Sequence, residues 1–374
     1  MERRDLLKAI ALSSAAGAAM TLGATDVANA QNAKRHGIGV HDVPPVDPDY
    51  FIPDRFKDRT IVVTGCARGM GAQAALRAAR EGANVVGVDW LEKDGEAHMN
   101  AIAKAGGKVE FVYGDVGETE TCERMVKVAV DRFGGIDHAL NNAGVMDGIF
   151  PGDPIDYPKQ KHLVFAQIHE ATDEYWDACI RTNATGVFKS MRAELRQMVK
   201  QNRGGSIVNV GSVTGLIGFG GSPAYVASKH AVTGVTRSAA IDYAAYGIRV
   251  NSVNMANTDT PMVERAMQLV RMKMQEAGGG PSMSLIKTDS LLQAADSHKR
   301  DATPAEQVAV MLFLLSDEAS NLTGGTYATD GGYTAYRCAR SQTRISPDEF
   351  SARITDQRIF VHRPGTHTNQ AGRT

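Results

Sequence analysis

The chain predicts a doubly wound α/β fold: a seven-stranded parallel sheet with helices on both faces, in a single domain. Short runs of β-branched and apolar residues alternate with helix-patterned stretches, a glycine turn joins the first strand to the first helix, and an aspartate closes the second strand. At 374 residues, 43% hydrophobic and 22% charged, the composition is that of a soluble globular protein with room for a sizeable core. A net charge of −1 offers no electrostatic case for nucleic acid or an anionic membrane surface, so neither is expected as a partner.

Thr60-Ile-Val-Val-Thr64 reads as the first strand and runs straight into Gly65-Cys-Ala-Arg68-Gly69-Met70-Gly71 and an alanine-rich helix reaching about Glu81. Gly65 permits the tight turn, Gly69 lets backbone approach a pyrophosphate, and Gly71 lets the helix pack closely. The unpaired N–H groups of the helix start favour an anion. Asn84 to Asp89 is the second strand, and Asp89 at its end is suited to accept hydrogen bonds from adenosine ribose hydroxyls, where a 2′-phosphate would meet a carboxylate. NAD is the expected cofactor, with NADP a second option through Arg68. Val112 to Val116 closes the third strand, Ala139 to Gly144 the fourth, Ser206 to Ser212 the fifth, Gly247 to Val253 the sixth, and Thr323 to Gly332 holds the seventh.

The chemistry concentrates between Ser206 and Lys229. Pro223 suits a first helical position, so Tyr225 and Lys229, four apart, share one helix face. A neighbouring ammonium favours the phenolate, and on this basis the tyrosine pKa is expected below its ordinary value of about 10, which makes Tyr225 a candidate general acid/base. Ser212, thirteen residues before the tyrosine, is placed to hold a substrate oxygen against the phenol. A Tyr-x-x-x-Lys pair alone fits any amphipathic helix; the serine and the upstream glycine turn separate this one from that reading.

These motifs resemble the short-chain dehydrogenase/reductases over roughly Thr60 to Ala335, with the motifs in the family's order. The resemblance implies a Rossmann-type fold and a catalytic set of Asn183, Ser212, Tyr225 and Lys229. Lys229 would bind the nicotinamide ribose, and the carbonyl of Asn183 would hold a relay water. It places Asp115 near the adenine amino group, although a helix N-cap remains open for that residue. It adds Met70, Val116, Asn142, Ala143 and Gly144 to the nucleotide's surroundings and sets Thr258 and Thr260 beside the nicotinamide. The sequence departs from the family at Met255-Ala256, where Pro-Gly is usual, which points to a reshaped nicotinamide or substrate wall. The implied reaction interconverts a secondary alcohol and a ketone; the alternative is a non-catalytic nucleotide-binding sensor or assembly protein. A homodimer or homotetramer is implied, with Ala231 to Ala245 suited to close helix approach.

The ends and insertions differ in character. Residues 1–30 carry Arg3-Arg4, an uncharged run from Ala9 to Ala24 and Ala28-Asn29-Ala30, the pattern of a cleaved twin-arginine signal, so a periplasmic location is expected without stable membrane insertion. A cytoplasmic or membrane-anchored chain is the alternative. Residues 31–59 are a proline- and aspartate-rich arm, 60–335 the catalytic domain and 336–374 a polar tail. Cys66, Cys122, Cys179 and Cys338 are scattered and suggest neither a disulfide framework nor thiol catalysis; His162 and His169 read as loop residues, and no metal is expected. Insertions at 145–171 and 262–302 exceed what the fold needs. The second carries five methionines between Met262 and Met283, which suit an adaptable apolar pocket wall or equally a core-facing stripe. An exported enzyme would have little free NAD to draw on, so the first insertion is expected to cover a retained nucleotide, with hydride leaving to a second substrate or an external electron acceptor.

Overall fold

A computed structural model of the chain describes residues 42–276, 290–294, 296–298 and 300–335. The twin-arginine pattern, part of the second insertion, Cys338 and the polar tail lie outside the described residues. Contacts divide the chain into Met1–Tyr333, which holds the whole sheet, and Thr334–Thr374.

Strands and helices alternate from Thr60 onward: β1 (Thr60–Thr64), α1 (Gly69–Arg80), β2 (Asn84–Asp89), α2 (Glu92–Lys104), β3 (Lys108–Tyr113), α3 (Thr119–Phe133) and β4 (His138–Asn141). The first insertion holds a short helix α4 (Tyr157–Gln160) and precedes α5 (Asp173–Cys179). A π-helical stretch, Ile180–Gly186, then joins α5 to α6 (Val187–Gln201). There follow β5 (Gly205–Val210), α7 (Pro223–Tyr243), β6 (Ile248–Met255), α8 (Pro261–Glu276), α9 (Pro304–Leu315) and β7 (Thr326–Thr329). The strands form one sheet in the order β3-β2-β1-β4-β5-β6-β7, every pair parallel. The order reverses between β1 and β4, whose last residues Thr64 and Asn141 are in register. At that point the connections diverge to opposite faces and leave a crevice at the strands' carboxyl ends.

Strand side chains alternate between two cores. Ile61, Val63 and Leu140 pack with Ala74, Ala78 and Met311 of α1 and α9 on one face, while Val62, Ala139 and Ile207 pack with Met125, Met191 and Val232 of α3, α6 and α7 on the other. Helix starts follow local chemistry. Thr172 accepts a hydrogen bond from the Tyr175 N–H at 3.2 Å, Pro223 occupies the first turn of α7, and Thr303 and Glu306 form a capping box ahead of α9. The third strand, expected to close at Val116, ends at Tyr113 and leaves Asp115 and Val116 in the connection to α3. Residue 118, not Asp115, stands at the N-cap of α3.

The described part of the arm is fixed to α1. Glu81 is fully buried and accepts from Arg55 Nε at 2.6 Å, Arg77 Nε at 2.9 Å and the Ile52 N–H at 3.0 Å. The Arg77 and Arg80 guanidinium groups lie over the rings of Tyr50 and Phe51.

A second buried carboxyl stands beneath the crevice. Glu194 of α6 accepts from Asn141 Nδ2 at 3.0 Å; the same nitrogen donates to Asn209 Oδ1, and Asn209 donates to Thr236 Oγ1, tying β4, β5, α6 and α7 together. Burial raises the Glu194 pKa from 4.5 to about 8, against the Asn141 hydrogen bond. The folded protein therefore keeps a proton that the unfolded chain releases. Stability from this group is complete below pH 4.5 and is lost as pH rises to about 8. Glu194→Gln should lack that loss. The wild-type unfolding free energy, measured by denaturant titration, should fall relative to the variant between pH 5 and 8, by on the order of 3–5 kcal/mol at 1.36 kcal/mol per pKa unit.

Candidate active site

The nucleotide half of the crevice is built by three close approaches. Gly65 and Gly69 adopt φ of 71° and 56°, conformations costly for other residues. A Cβ on Gly71 would lie 2.0 Å from the Gly65 carbonyl oxygen, so the third glycine is needed to seat α1 against the turn itself. Asn142 holds the turn to the end of β4: its Nδ2 donates to the carbonyls of Thr64 and Gly65, both at 3.2 Å, and its backbone N–H donates to Thr64 Oγ1. α1 begins without a side-chain cap, leaving first-turn amide donors available to an anion.

The resulting cleft, about 540 Å³, is lined by Gly65, Arg68, Gly69, Met70, Asp89, Asp115, Val116, Asn142, Ala143, Gly144 and Thr260, all expected from the sequence. Asp89 is buried at the end of β2 and accepts from the N–H groups of Ala67 and Leu91, each at 2.9 Å. Burial raises its pKa, and those hydrogen bonds with nearby Arg68 oppose the rise. Arg68 is itself engaged by Asp94, with Nε 2.7 Å from Oδ2. Asp115 accepts from the Gly117 N–H at 2.7 Å and pairs with Arg181 Nη1 at 2.6 Å. The cleft fits a dinucleotide: it joins a helix N-terminus and two left-handed glycines to a strand-end carboxylate, and the buried Oδ1 of Asn142 beside it has no hydrogen-bond partner.

An adjoining apolar cavity of about 130 Å³ holds Ser212 and Tyr225 beside Met70, Met146, Met255, Thr258, Met262 and Met267. Ser212 sits at the start of a tight turn over Val213–Gly215. A Cβ on Gly215 would lie 2.6 Å from the Lys229 carbonyl oxygen and one on Gly211 2.1 Å from Asn254 Oδ1, so two glycines let the serine loop press onto α7 and β6. Met255 ends β6 with its side chain buried between core and cavity, and Thr260 accepts from the Val263 N–H to start α8. The second insertion's methionines divide: α8 turns Ala266, Leu269 and Val270 into a core, while Met262 and Met267 line the cavity and Met274 is exposed.

Asn183 and Lys229 line neither cavity and are buried behind them. Lys229 Nζ donates to the Val210 carbonyl at 2.9 Å and lies 5.7 Å from the centroid of the Tyr225 ring. Asn183, in the π-helical stretch, accepts from the Val145 N–H and donates to the Val145 carbonyl, both at 2.8 Å, and donates to Ser228 Oγ at 2.9 Å. A Cβ on Gly144 would stand 3.1 Å from Asn183 Oδ1 and 3.5 Å from Lys229 Nζ, so these residues converge. The Asn183 side chain thus clamps Val145. The electrostatics reverse one expectation. Burial pushes Tyr225 up to about 12, opposed by a hydrogen bond from Ser212, and burial pulls Lys229 down to about 8. Sequence spacing placed the ammonium near the phenol but could not register the desolvation of both groups, which is the largest influence on each.

Sequence reasoning missed Arg181, which fixes Asp115, and Asp147, a buried carboxylate lining the cleft. Asp147 Oδ1 accepts from the Ile149 N–H at 2.9 Å, and burial raises its pKa. It also missed Trp90 and Arg265, which line the cleft, and Phe150, whose ring packs against Trp90. Arg181 stands two residues before Asn183 and Asp147 three after Gly144, but neither spacing carries a signal without the fold. Among the described residues, Cys66, Cys122 and Cys179 are free and buried, no group of side chains could hold a metal ion, and no helix is long and apolar enough to cross a membrane.

A parallel sheet in this order, with Ser212 and Tyr225 in the cavity beside its crevice and Lys229 buried behind them, defines a doubly wound α/β protein of the oxidoreductase class. The family model for short chain dehydrogenases matches residues 59–269, and the chain belongs to that family. It is 38% identical over 289 residues to a 3beta-hydroxysteroid dehydrogenase of Mediterraneibacter gnavus, covering 76% of this chain and 98% of the relative. It is 32% identical over 285 residues to a cyclohexanol dehydrogenase of an Acinetobacter species, with coverage of 76% and 98%. The crystal structure of levodione reductase superposes with a TM-score of 0.62 at 30% identity, covering 75% of this chain and 99% of that one.

Proposed function

We propose that the protein is an NAD-dependent oxidoreductase that interconverts a cyclic secondary alcohol and its ketone. The observation that carries this reading is the meeting of Ser212 and Tyr225, with Lys229 buried behind them, at the inner end of a dinucleotide cleft, where it opens into an apolar cavity. The relatives' named substrates, a hydroxysteroid and cyclohexanol, match a methionine-rich wall that can adapt to a ring. The intact set of Asn183, Ser212, Tyr225 and Lys229 favours an enzyme over a nucleotide-binding sensor.

When bound, a nicotinamide supplies the hydride chemistry. The chain's own residues handle the proton and the geometry. The Tyr225 phenol exchanges a proton with the substrate oxygen, and Ser212 holds that oxygen in place. Lys229, with a pKa near 8, binds the nicotinamide ribose and passes the proton on toward solvent through the relay water. Asn183 fixes Val145 at the cleft wall and, through its backbone carbonyl, orders a relay water. Asp89 accepts from the ribose hydroxyls, and Arg68, the basic residue beside it in the cleft, is drawn to Asp94 rather than left for a 2′-phosphate, which supports NAD over NADP. With the twin-arginine pattern at the N-terminus, the reading puts the reaction in the periplasm, which fractionation of cells expressing the full chain tests: protein found only in the cytosol refutes it. α6 and α7 expose Phe188 and Ile241, the latter 80% accessible, which supports pairing of these helices between subunits.

Tyr225→Phe should cut kcat for alcohol oxidation by about 10²–10⁴ with the nucleotide Kd nearly unchanged. The wild-type kcat/KM should climb through the alkaline range, as a phenol with a pKa near 12 requires, and the variant should lose that climb. Near-normal turnover in the variant refutes the assignment. Asp89→Ala should narrow the preference for NAD over NADP, measured as the ratio of their Kd values in nucleotide-stripped protein, and a wild type that prefers NADP overturns the cofactor reading. Light scattering at micromolar concentration should give a dimer or tetramer; a monomer contradicts the proposed pairing.

A further inference from the structure

The first insertion does more than lengthen the path from β4 to α5. Residues 149–153 run along the nucleotide cleft, where Ile149 and Pro151 line it together with Trp90, Leu91 and Arg265. At the adenosine end the Phe150 ring meets the Trp90 ring edge-on, with centroids 5.2 Å apart, and Arg68 Nη1 reaches the Pro151 carbonyl at 3.5 Å. Arg265 of α8 donates to the carbonyls of Asp153 at 2.9 Å and Phe150 at 3.3 Å. The segment is therefore fastened to two separate elements, the connection after β2 and α8.

The fastening at α8 is broad. Tyr157 and Lys161 both bond to Glu276, Lys273 donates to the Phe165 carbonyl, and Ile149, Val164 and Phe165 share one apolar cluster with Ala266, Leu269 and Val270. The first insertion and α8 thus form one cover. The guanidinium at its centre is incompletely used: Arg265 Nε is buried without an acceptor, and Asp147 nearby feels the positive charge. A cation with a spare donor at the edge of a cleft that also holds a helix N-terminus is complementary to a diphosphate.

We propose that residues 149–153 are a strap that retains the dinucleotide, with the Phe150–Trp90 contact and Arg265 as its two fastenings, so that the nucleotide stays bound through successive turnovers, the hydride taken from one alcohol passing in the same site to a second substrate, a ketone, that reoxidises the cofactor. This rests on the dinucleotide-binding reading of the cleft. Release then requires breaking the aromatic contact or the two-carbonyl grip of Arg265, and an exported protein would leave the cytoplasm already loaded.

The test uses the full chain, purified without added nucleotide. Nucleotide released on denaturation is quantified by mass spectrometry, and exchange of the bound pool is followed with isotopically labelled NAD. The wild type should carry close to one nucleotide per chain and exchange it slowly. Phe150→Ala and Arg265→Ala should exchange at least about tenfold faster, equivalent to about 1.4 kcal/mol, with unchanged circular dichroism. Phe150 is 41% exposed, so its truncation spares the core, and Arg265→Lys, which keeps the charge but loses the fork, should exchange like Arg265→Ala. Wild-type protein that arrives empty, or exchanges as fast as the variants, overturns the strap. Turnover of a cyclic alcohol by such a freely exchanging protein would leave the dehydrogenase reading intact. Slow exchange without alcohol turnover would support the strap and remove the dehydrogenase reading.

Discussion

The contact on which the site depends is the one between Gly71 and the Gly65 carbonyl, closed too tightly for any side chain. It seats α1 directly on the turn after β1 and brings Asn142, from the end of β4, into bonding distance of both Thr64 and Gly65. β1 and β4 are the strands between which the sheet order reverses. The same contact therefore fixes where the crevice opens, how the helix N-terminus meets it and where Ala143 and Gly144 begin its far wall.

Across that wall the protein trades solvation for position. Lys229, Asn183 and Ser228 are buried and hydrogen-bonded to backbone or to one another, so their geometry is set without reference to solvent. The cost appears in the titrations, with the phenol raised and the ammonium lowered by burial. A lysine near pH 8 exchanges protons more readily than an exposed one, which suits a relay better than a permanent charge does.

Much of this was legible in the sequence because it rests on local grammar. The glycine turn, the aspartate ending β2, Pro223 ahead of Tyr225 and Lys229, and Thr172 as a helix cap each depend on a few neighbouring residues, and each expected cofactor residue that lines the cleft does so where spacing put it. What escaped depends on distance in space. Arg181 bonds to Asp115 across 66 residues and Arg265 to Asp153 across 112, and no period or motif encodes such pairs. The π-helical stretch around Asn183 was hidden because the helix periodicity continues on either side of it. The third strand ended early because Tyr113 is the last residue to pair with β2, opposite Asp89. The depressed tyrosine pKa failed for a different reason: adjacency is written in the sequence, while the dielectric around it is not.

The Arg55–Glu81–Arg77 cluster bears on where this protein begins. Composition places a boundary between residues 59 and 60, since prolines stop there and β1 starts. Yet Glu81 closes α1 with no exposure to water, and one of its two guanidinium partners comes from the arm. A buried carboxylate deprived of one such partner keeps half of its cationic compensation, and the loss falls on the end of the nucleotide-binding helix. The segment around Arg55 is therefore structural ballast for the nucleotide-binding helix, and Thr60 marks the start of a strand inside a folding unit that begins upstream of it.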